Sequence, residues 1–111
     1  MSSLIRVTMC KIPNKDDRKK LIALYEVLKA TQSKDGKPYI LSMQAGEAEE
    51  DPRSDGYNFV SKTEFKSKED MDYYDTGCEA HQTLKAGAKS AGITIQGLLT
   101  VYYYPAIVHS V

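Results

Sequence analysis

The chain has 111 residues, of which 15 are basic and 15 acidic, so its formal net charge at neutral pH is zero. That length suits one domain, spanning 1–111 with its core at about 4–104, and small enough that a partner subunit could complete its burial. The charge balance leaves no basic footprint for nucleic acid or an anionic membrane. The opening residues lack the apolar core of a leader, and no apolar run approaches the ~18 residues that cross a bilayer. The expectation is a soluble, cytoplasmic protein in which Cys10 and Cys78 are free thiols.

Leu4 to Ile12 alternates, with Ile5, Val7 and Met9 on one face and Arg6, Thr8 and Cys10 on the other, which predicts a strand. Pro13 ends it. Asn14 can cap a helix whose first turn carries Asp16 and Asp17, where negative charge is favoured. Leu21, Leu24, Tyr25 and Leu28 then recur at helical spacing. A polar turn around Asp35-Gly36 leads to a second strand from Tyr39 to Gln44, with Tyr39, Leu41 and Met43 sharing a face. The segment 46–56 is rich in Glu and Asp. Its spacing does not match a calcium loop, and it reads as solvated.

Tyr57 to Phe65 predicts a third strand, with Tyr57, Phe59, Ser61, Thr63 and Phe65 on one side. Ser67 and Asp70 suggest a capping box opening a second helical region. Met71 and Tyr74 share its inner side, a break falls at Gly77-Cys78, and Ala80, Leu84, Ala88 and Ala91 form a thinner stripe that Gly92 can end. Ile93 to Tyr104 predicts a fourth strand, irregular near Gln96-Gly97 and apolar on both faces, as expected of a strand covered on both sides. The order strand, helix, strand, strand, helix, strand is that of an α+β, ferredoxin-like βαββαβ fold with a four-stranded antiparallel sheet. Its helices cover one face. The aromatic residues of the third and fourth strands are expected to line the other, open face, where two sheets could pack into a dimeric α+β barrel.

Three stretches carry a family resemblance: the opening strand followed at once by a charged amphipathic helix, Gly56-Tyr57 through Glu64-Phe65-Lys66-Ser67, and Asp72-Tyr73-Tyr74 leading to Glu79-Ala80-His81-Gln82. With them the chain resembles the stress-responsive A/B barrel (Dabb) family of dimeric α+β barrels. Glu79 stands where that family often has Pro. The resemblance implies a homodimer formed through the open sheet face, and a cavity between sheet and helices in each protomer. One plant member that looks similar is a polyketide cyclase acting by aldol condensation to make olivetolic acid. Its tyrosine and histidine are matched here by Tyr73 or Tyr74 and by His81, while Arg6 and Phe59 stand where it has two further histidines.

Residue chemistry agrees with such a site. An aldol closure needs a base beside a carbonyl and a donor to the enolate oxygen; a histidine and a tyrosine hydroxyl can fill those roles. The candidate catalytic residues are therefore His81, Tyr73 and Tyr74, and the candidate ligand-binding residues are Tyr25, Arg6, Phe59 and Met9. The alternative for His81 is a structural hydrogen bond to backbone, and for Tyr25 a packed core position. Two histidines at unrelated positions and no Cys pair make no metal-ligand set, and no cofactor is expected. The run Tyr102-Tyr103-Tyr104 suits a dimer interface better than a nucleic-acid platform, since the chain lacks basic excess. The functional expectation is a small dimer whose cavity takes an apolar or aromatic molecule. The alternative is a cofactor-independent polyketide cyclase or lyase, and a purely structural dimer with a vestigial cavity stands as a third reading.

Overall fold

The computed structural model describes residues 3–111. In chain order the elements are β1 (Leu4–Lys11), α1 (Lys15–Thr31), β2 (Ile40–Glu47), β3 (Phe59–Phe65), α2 (Lys68–Thr76), α3 (Glu79–Ser90) and β4 (Gly97–Tyr103). The sheet order is β2-β3-β1-β4 with every neighbouring pair antiparallel, the ferredoxin-like α+β arrangement.

Local chemistry sets the helix ends. The Asn14 side chain accepts from the backbone N–H groups of Asp16 (2.8 Å) and Asp17 (3.3 Å), and Ser67 Oγ accepts from that of Asp70 (3.2 Å). Each bond satisfies a donor that the first helical turn leaves without a partner. The capping box at Ser67 is only half formed, because the Asp70 carboxylate goes instead to Lys34 at 2.7 Å. At the far end of α3, Gly92 adopts a φ of +68°, the Gly92 N–H bonds the Lys89 carbonyl, and the Ile93 N–H bonds that of Ala88. This is a Schellman closure, which a residue with a side chain would strain.

Sheet register decides which residues meet the helices. Arg6 lies opposite Thr63 and Tyr102, Thr8 opposite Ser61 and Thr100, and Cys10 opposite Phe59 and Leu98. Residues directly opposite one another share a face. Phe59, Ser61, Thr63 and Phe65 are all buried, and their side of the sheet is the one covered by the helices. The aromatic residues of β3 therefore pack inward and do not line the open face as expected from the sequence. The open face carries Val7, Met9, Leu99, Val101 and Tyr103 beside the more polar Lys62 and Gln44.

Two strand assignments shift. Register slips between Ile40 and Ser42, a bulge that breaks the expected alternation of Tyr39, Leu41 and Met43. Tyr39 is buried against Phe65 and Tyr73, whereas Leu41 is exposed. The fourth strand begins at Gly97, since residues 93–96 form a loop tied by Thr94 N–H to the buried Asp17 carboxylate (3.1 Å) and by Gln96 N–H to the Lys11 carbonyl (2.8 Å).

Two glycines mark close approaches. A Cβ at Gly87 would stand 2.7 Å from Leu24 Cδ2, the tip of a flexible side chain. A Cβ at Gly77 would stand 2.8 Å from two ring carbons of Tyr73. That ring is pinned by its hydroxyl bond to the Ser33 carbonyl (3.1 Å) and by edge contact with Tyr39. Gly77→Ala should therefore cost about 1–3 kcal/mol through overpacking. Gly87→Ala should be nearly neutral, because about 1 kcal/mol of helix propensity offsets a small Leu24 adjustment. Urea midpoints of the two variants check this; equal midpoints would contradict it.

Candidate functional site

The interruption between α2 and α3 builds the site. In an uninterrupted helix the Tyr74 carbonyl would accept the Cys78 N–H. Here both Gly77 and Cys78 N–H groups bond the Tyr73 carbonyl, at 2.8 and 2.9 Å, and the Tyr74 carbonyl is released. His81 Nδ1 takes it at 2.7 Å, and Gln82 similarly donates its side-chain amide to the Asp75 carbonyl at 3.1 Å. A carbonyl only accepts, so Nδ1 must carry the hydrogen and the neutral ring keeps its lone pair on Nε2. The imidazole also stacks on the Tyr74 ring, with centroids 3.6 Å apart and planes inclined by 11°.

Beside this pair lies a cavity of about 610 Å³ between the sheet and helices α1 and α3. Its floor is the helix-facing side of the sheet, where Arg6 and Thr8 of β1, Ser61 and Thr63 of β3 and Thr100 of β4 sit in adjacent register positions. Thr8 Oγ1 and Thr100 Oγ1 are 3.0 Å apart, and the Tyr25 hydroxyl donates to Ser61 Oγ at 3.1 Å. Leu21, Leu84, Ala88, Ile93 and Leu98 supply apolar walls. Arg6 bonds Asp75 at 2.5 Å and lies over the Tyr74 ring, 5.2 Å from its centre. Among the described residues, the Tyr39 hydroxyl is the one sealed side-chain polar atom without a partner. His81 borders the cavity, and its Nε2 has no hydrogen-bond partner among the described residues.

The candidate residues thus divide. His81, Tyr74, Tyr25 and Arg6 converge on the cavity. Tyr73 does not: its hydroxyl is turned to the Ser33 carbonyl on the far side of α2. Phe59 is sealed in the core, stacked under Tyr25, and supports the wall without forming it. Met9 lies on the opposite face of the sheet, because successive strand residues point to opposite sides. Sequence reasoning missed Asp75, the partner of Arg6, and the hydroxyls of Thr8 and Thr100. The alternation of β1 and β4 places Thr8 and Thr100 beside Ser61 once the register is known, whereas Asp75 reaches Arg6 from α2 through the packing of helix on sheet.

Electrostatics favour an uncharged site. Burial pushes the His81 imidazole down to about 4; Lys85 and Arg6 act in the same direction, against the Tyr74 carbonyl bond and Asp75. Burial also raises the Tyr74, Tyr25 and Cys10 side chains above their ordinary values. All four groups are neutral at pH 7. Both cysteines are buried and free. Among the described residues no group of three or more His, Cys, Asp or Glu could hold a metal ion.

Because the folded His81 resists protonation, the unfolded chain binds the extra proton between pH 6.5 and 4, and stability must fall as pH drops through that window. The expected loss is about 2 kcal/mol by pH 5, above the range where carboxylates titrate. Urea denaturation at pH 7 and pH 5 measures it. A His81→Gln variant should show a flatter profile, and an unchanged slope would exclude His81 as the source.

Residues 4–95 match the family model of the stress responsive A/B barrel domain. A fusaristatin A biosynthesis cluster protein of Gibberella zeae is 48% identical over 101 residues, covering 90% of this chain and 71% of that protein. Among solved structures, a hydroxynitrile lyase from Passiflora edulis superposes with a TM-score of 0.74 at 12% identity, covering 98% of each chain. A dimeric ferredoxin-like protein from Jannaschia does so with a TM-score of 0.72 at 15% identity, covering 93% of this chain and 99% of that one. At such identities the two structures speak for the fold alone. The family match and the identity to the Gibberella protein establish that this chain belongs to the stress-responsive A/B barrel family.

Proposed function

We propose that this chain is a homodimeric cavity protein that takes an apolar or aromatic small molecule in a biosynthetic setting. The observation that carries this reading is the space of about 610 Å³ beside His81, with apolar walls, a hydroxyl-bearing floor and a size ordinary for small-molecule sites. The cluster protein of Gibberella zeae supports the biosynthetic setting. N-phenyl-1-naphthylamine, a neutral apolar dye, should bind and brighten. Ala88→Phe, which fills the cavity from α3 without removing a core side chain, should suppress the signal. Equal brightening of both proteins would place the dye elsewhere and count against the cavity.

A second reading is favoured by one detail, the fixed tautomer of His81. With Nδ1 anchored and Nε2 free, the ring can act as a base toward a molecule in the cavity, with Arg6 or the Tyr74 hydroxyl near the oxygen that gains charge. A base whose conjugate acid ionises near 4 is weak, so it suits only a proton already acidified by neighbouring carbonyls. That is the demand of a cofactor-independent aldol-type cyclase or lyase. Exchange of the activated protons of a bound 1,3-diketone, followed by NMR, should be lost in His81→Ala while the dye still binds. Persistence of exchange in that variant would remove the catalytic reading and leave the binding one.

The dimer is proposed through the open sheet face, where Val7, Met9, Leu99, Val101 and Tyr103 form an apolar stripe. Neighbours of this fold are described as dimeric. Val101 is 49% exposed in the single chain, so an arginine there would not disturb the protomer's own core. Val101→Arg should convert a dimer to a monomer in light scattering; a variant that keeps the parent mass would exclude this face.

A further inference from the structure

Resting on the cavity as a ligand site, we infer that Lys85 and Lys89 hold an anionic head group, a carboxylate or a phosphate, on a ligand whose apolar body fills the cavity. Three cations line this space, Arg6, Lys85 and Lys89, against one carboxylate, Asp75. Arg6 and Asp75 neutralise each other at 2.5 Å. Among the described residues neither lysine pairs with a carboxylate; other surface lysines are also unpaired, but Lys85 and Lys89 are the lysines that line the cavity. Both unpaired cations among the residues lining the cavity therefore come from one helix, α3.

Helix geometry makes the pair a unit. Lys85 and Lys89 are four residues apart on α3, hence neighbours on one face, and like charges in that relation repel. The only acid on α3 is Glu79, in its first turn, so the helix offers the pair no compensation. An anion between the two ammonium groups would relieve the repulsion and gain charge-assisted hydrogen bonds. Both lysines are exposed, yet both border the cavity. That is the habit of a lysine whose aliphatic stem lies along apolar surface while its head stays in water. Leu84, Ala88 and Ile93 are the apolar neighbours on the same wall. The remaining polar groups of the cavity are hydroxyls and a neutral imidazole, which suit uncharged oxygens. The charged end of a ligand therefore belongs at α3.

Displacement of N-phenyl-1-naphthylamine by three chains of equal length tests this: dodecanol, dodecanoate and dodecyl phosphate, at low salt. At least one anion should bind about tenfold or more tightly than dodecanol, the ratio expected from one charge-assisted hydrogen bond. In Lys85→Gln/Lys89→Gln that ratio should fall toward one, with dodecanol affinity unchanged. Preference for dodecanoate over dodecyl phosphate would assign the head as a carboxylate, and the reverse as a phosphate. Equal binding of all three, or an anion preference that survives the double substitution, would overturn the inference and leave the cavity reading standing. Failure of the dye and of dodecanol to bind at all would remove the cavity reading, and this inference with it. Both lysines are exposed and unpaired and repel each other, so the double variant should fold with a urea midpoint at or slightly above the parent's.

Discussion

One released carbonyl organises this site. The chain stops α2 at Gly77, and the last carbonyls of that helix need donors other than the next helical turn. Residues of the first turn of α3 supply them, His81 to Tyr74 and Gln82 to Asp75. That exchange does three things together. It joins two short helices across a break, it fixes which nitrogen of His81 bears hydrogen, and it seats the ring flat on Tyr74. The structural and catalytic readings of His81 are therefore not rivals, because the bond that makes the residue structural is also what leaves Nε2 free.

The sheet shows a comparable division of labour. On β1 the face that looks apolar in sequence, with Val7 and Met9, points away from the helices, and the face with Arg6 and Thr8 points toward them. A protomer built to bury as much as possible would do the opposite. Inward hydroxyls on three adjacent strands make sense where the interior is a solvated chamber. The outward apolar stripe then becomes the surface best suited to a second copy of the chain.

The fold was legible because its signals are local or periodic: Asn14 and Ser67 as caps, Gly92 as a stop, the α1 stripe, and the alternation of β3. The bulge at Leu41 was not, since it arises from pairing with β3 and leaves no mark in the pattern of β2. The facing of β3 was misjudged for a related reason. Alternation says that Phe59 and Phe65 share a side but not which side the helices take. In the site, the pairing of Tyr with His was legible as residue types, yet the choice of Tyr74 over Tyr73 depended on where the helix broke. Arg6 was read as a substitute for a lost histidine; its partner Asp75 is nearly seventy positions away along the chain, and only topology brings them together.

The size of the chamber decides how it must be regarded. An empty void of 610 Å³ would cost about 15 kcal/mol at the rate found for deleted core side chains. That equals the upper end of the whole stability of an ordinary domain, about 5–15 kcal/mol. The chamber is not such a void: it opens to solvent beside α3 and β4, where Lys85, Lys89 and Leu98 are exposed, so water fills it. Its floor of Thr8, Ser61, Thr63 and Thr100 can hydrogen-bond that solvent, while Leu21, Leu84 and Leu98 cannot. Water against those three leucines is the least favourable part of the arrangement. An apolar body that displaces it there, while leaving the floor its hydrogen bonds, would gain most, and the same geometry would direct any charged end toward α3.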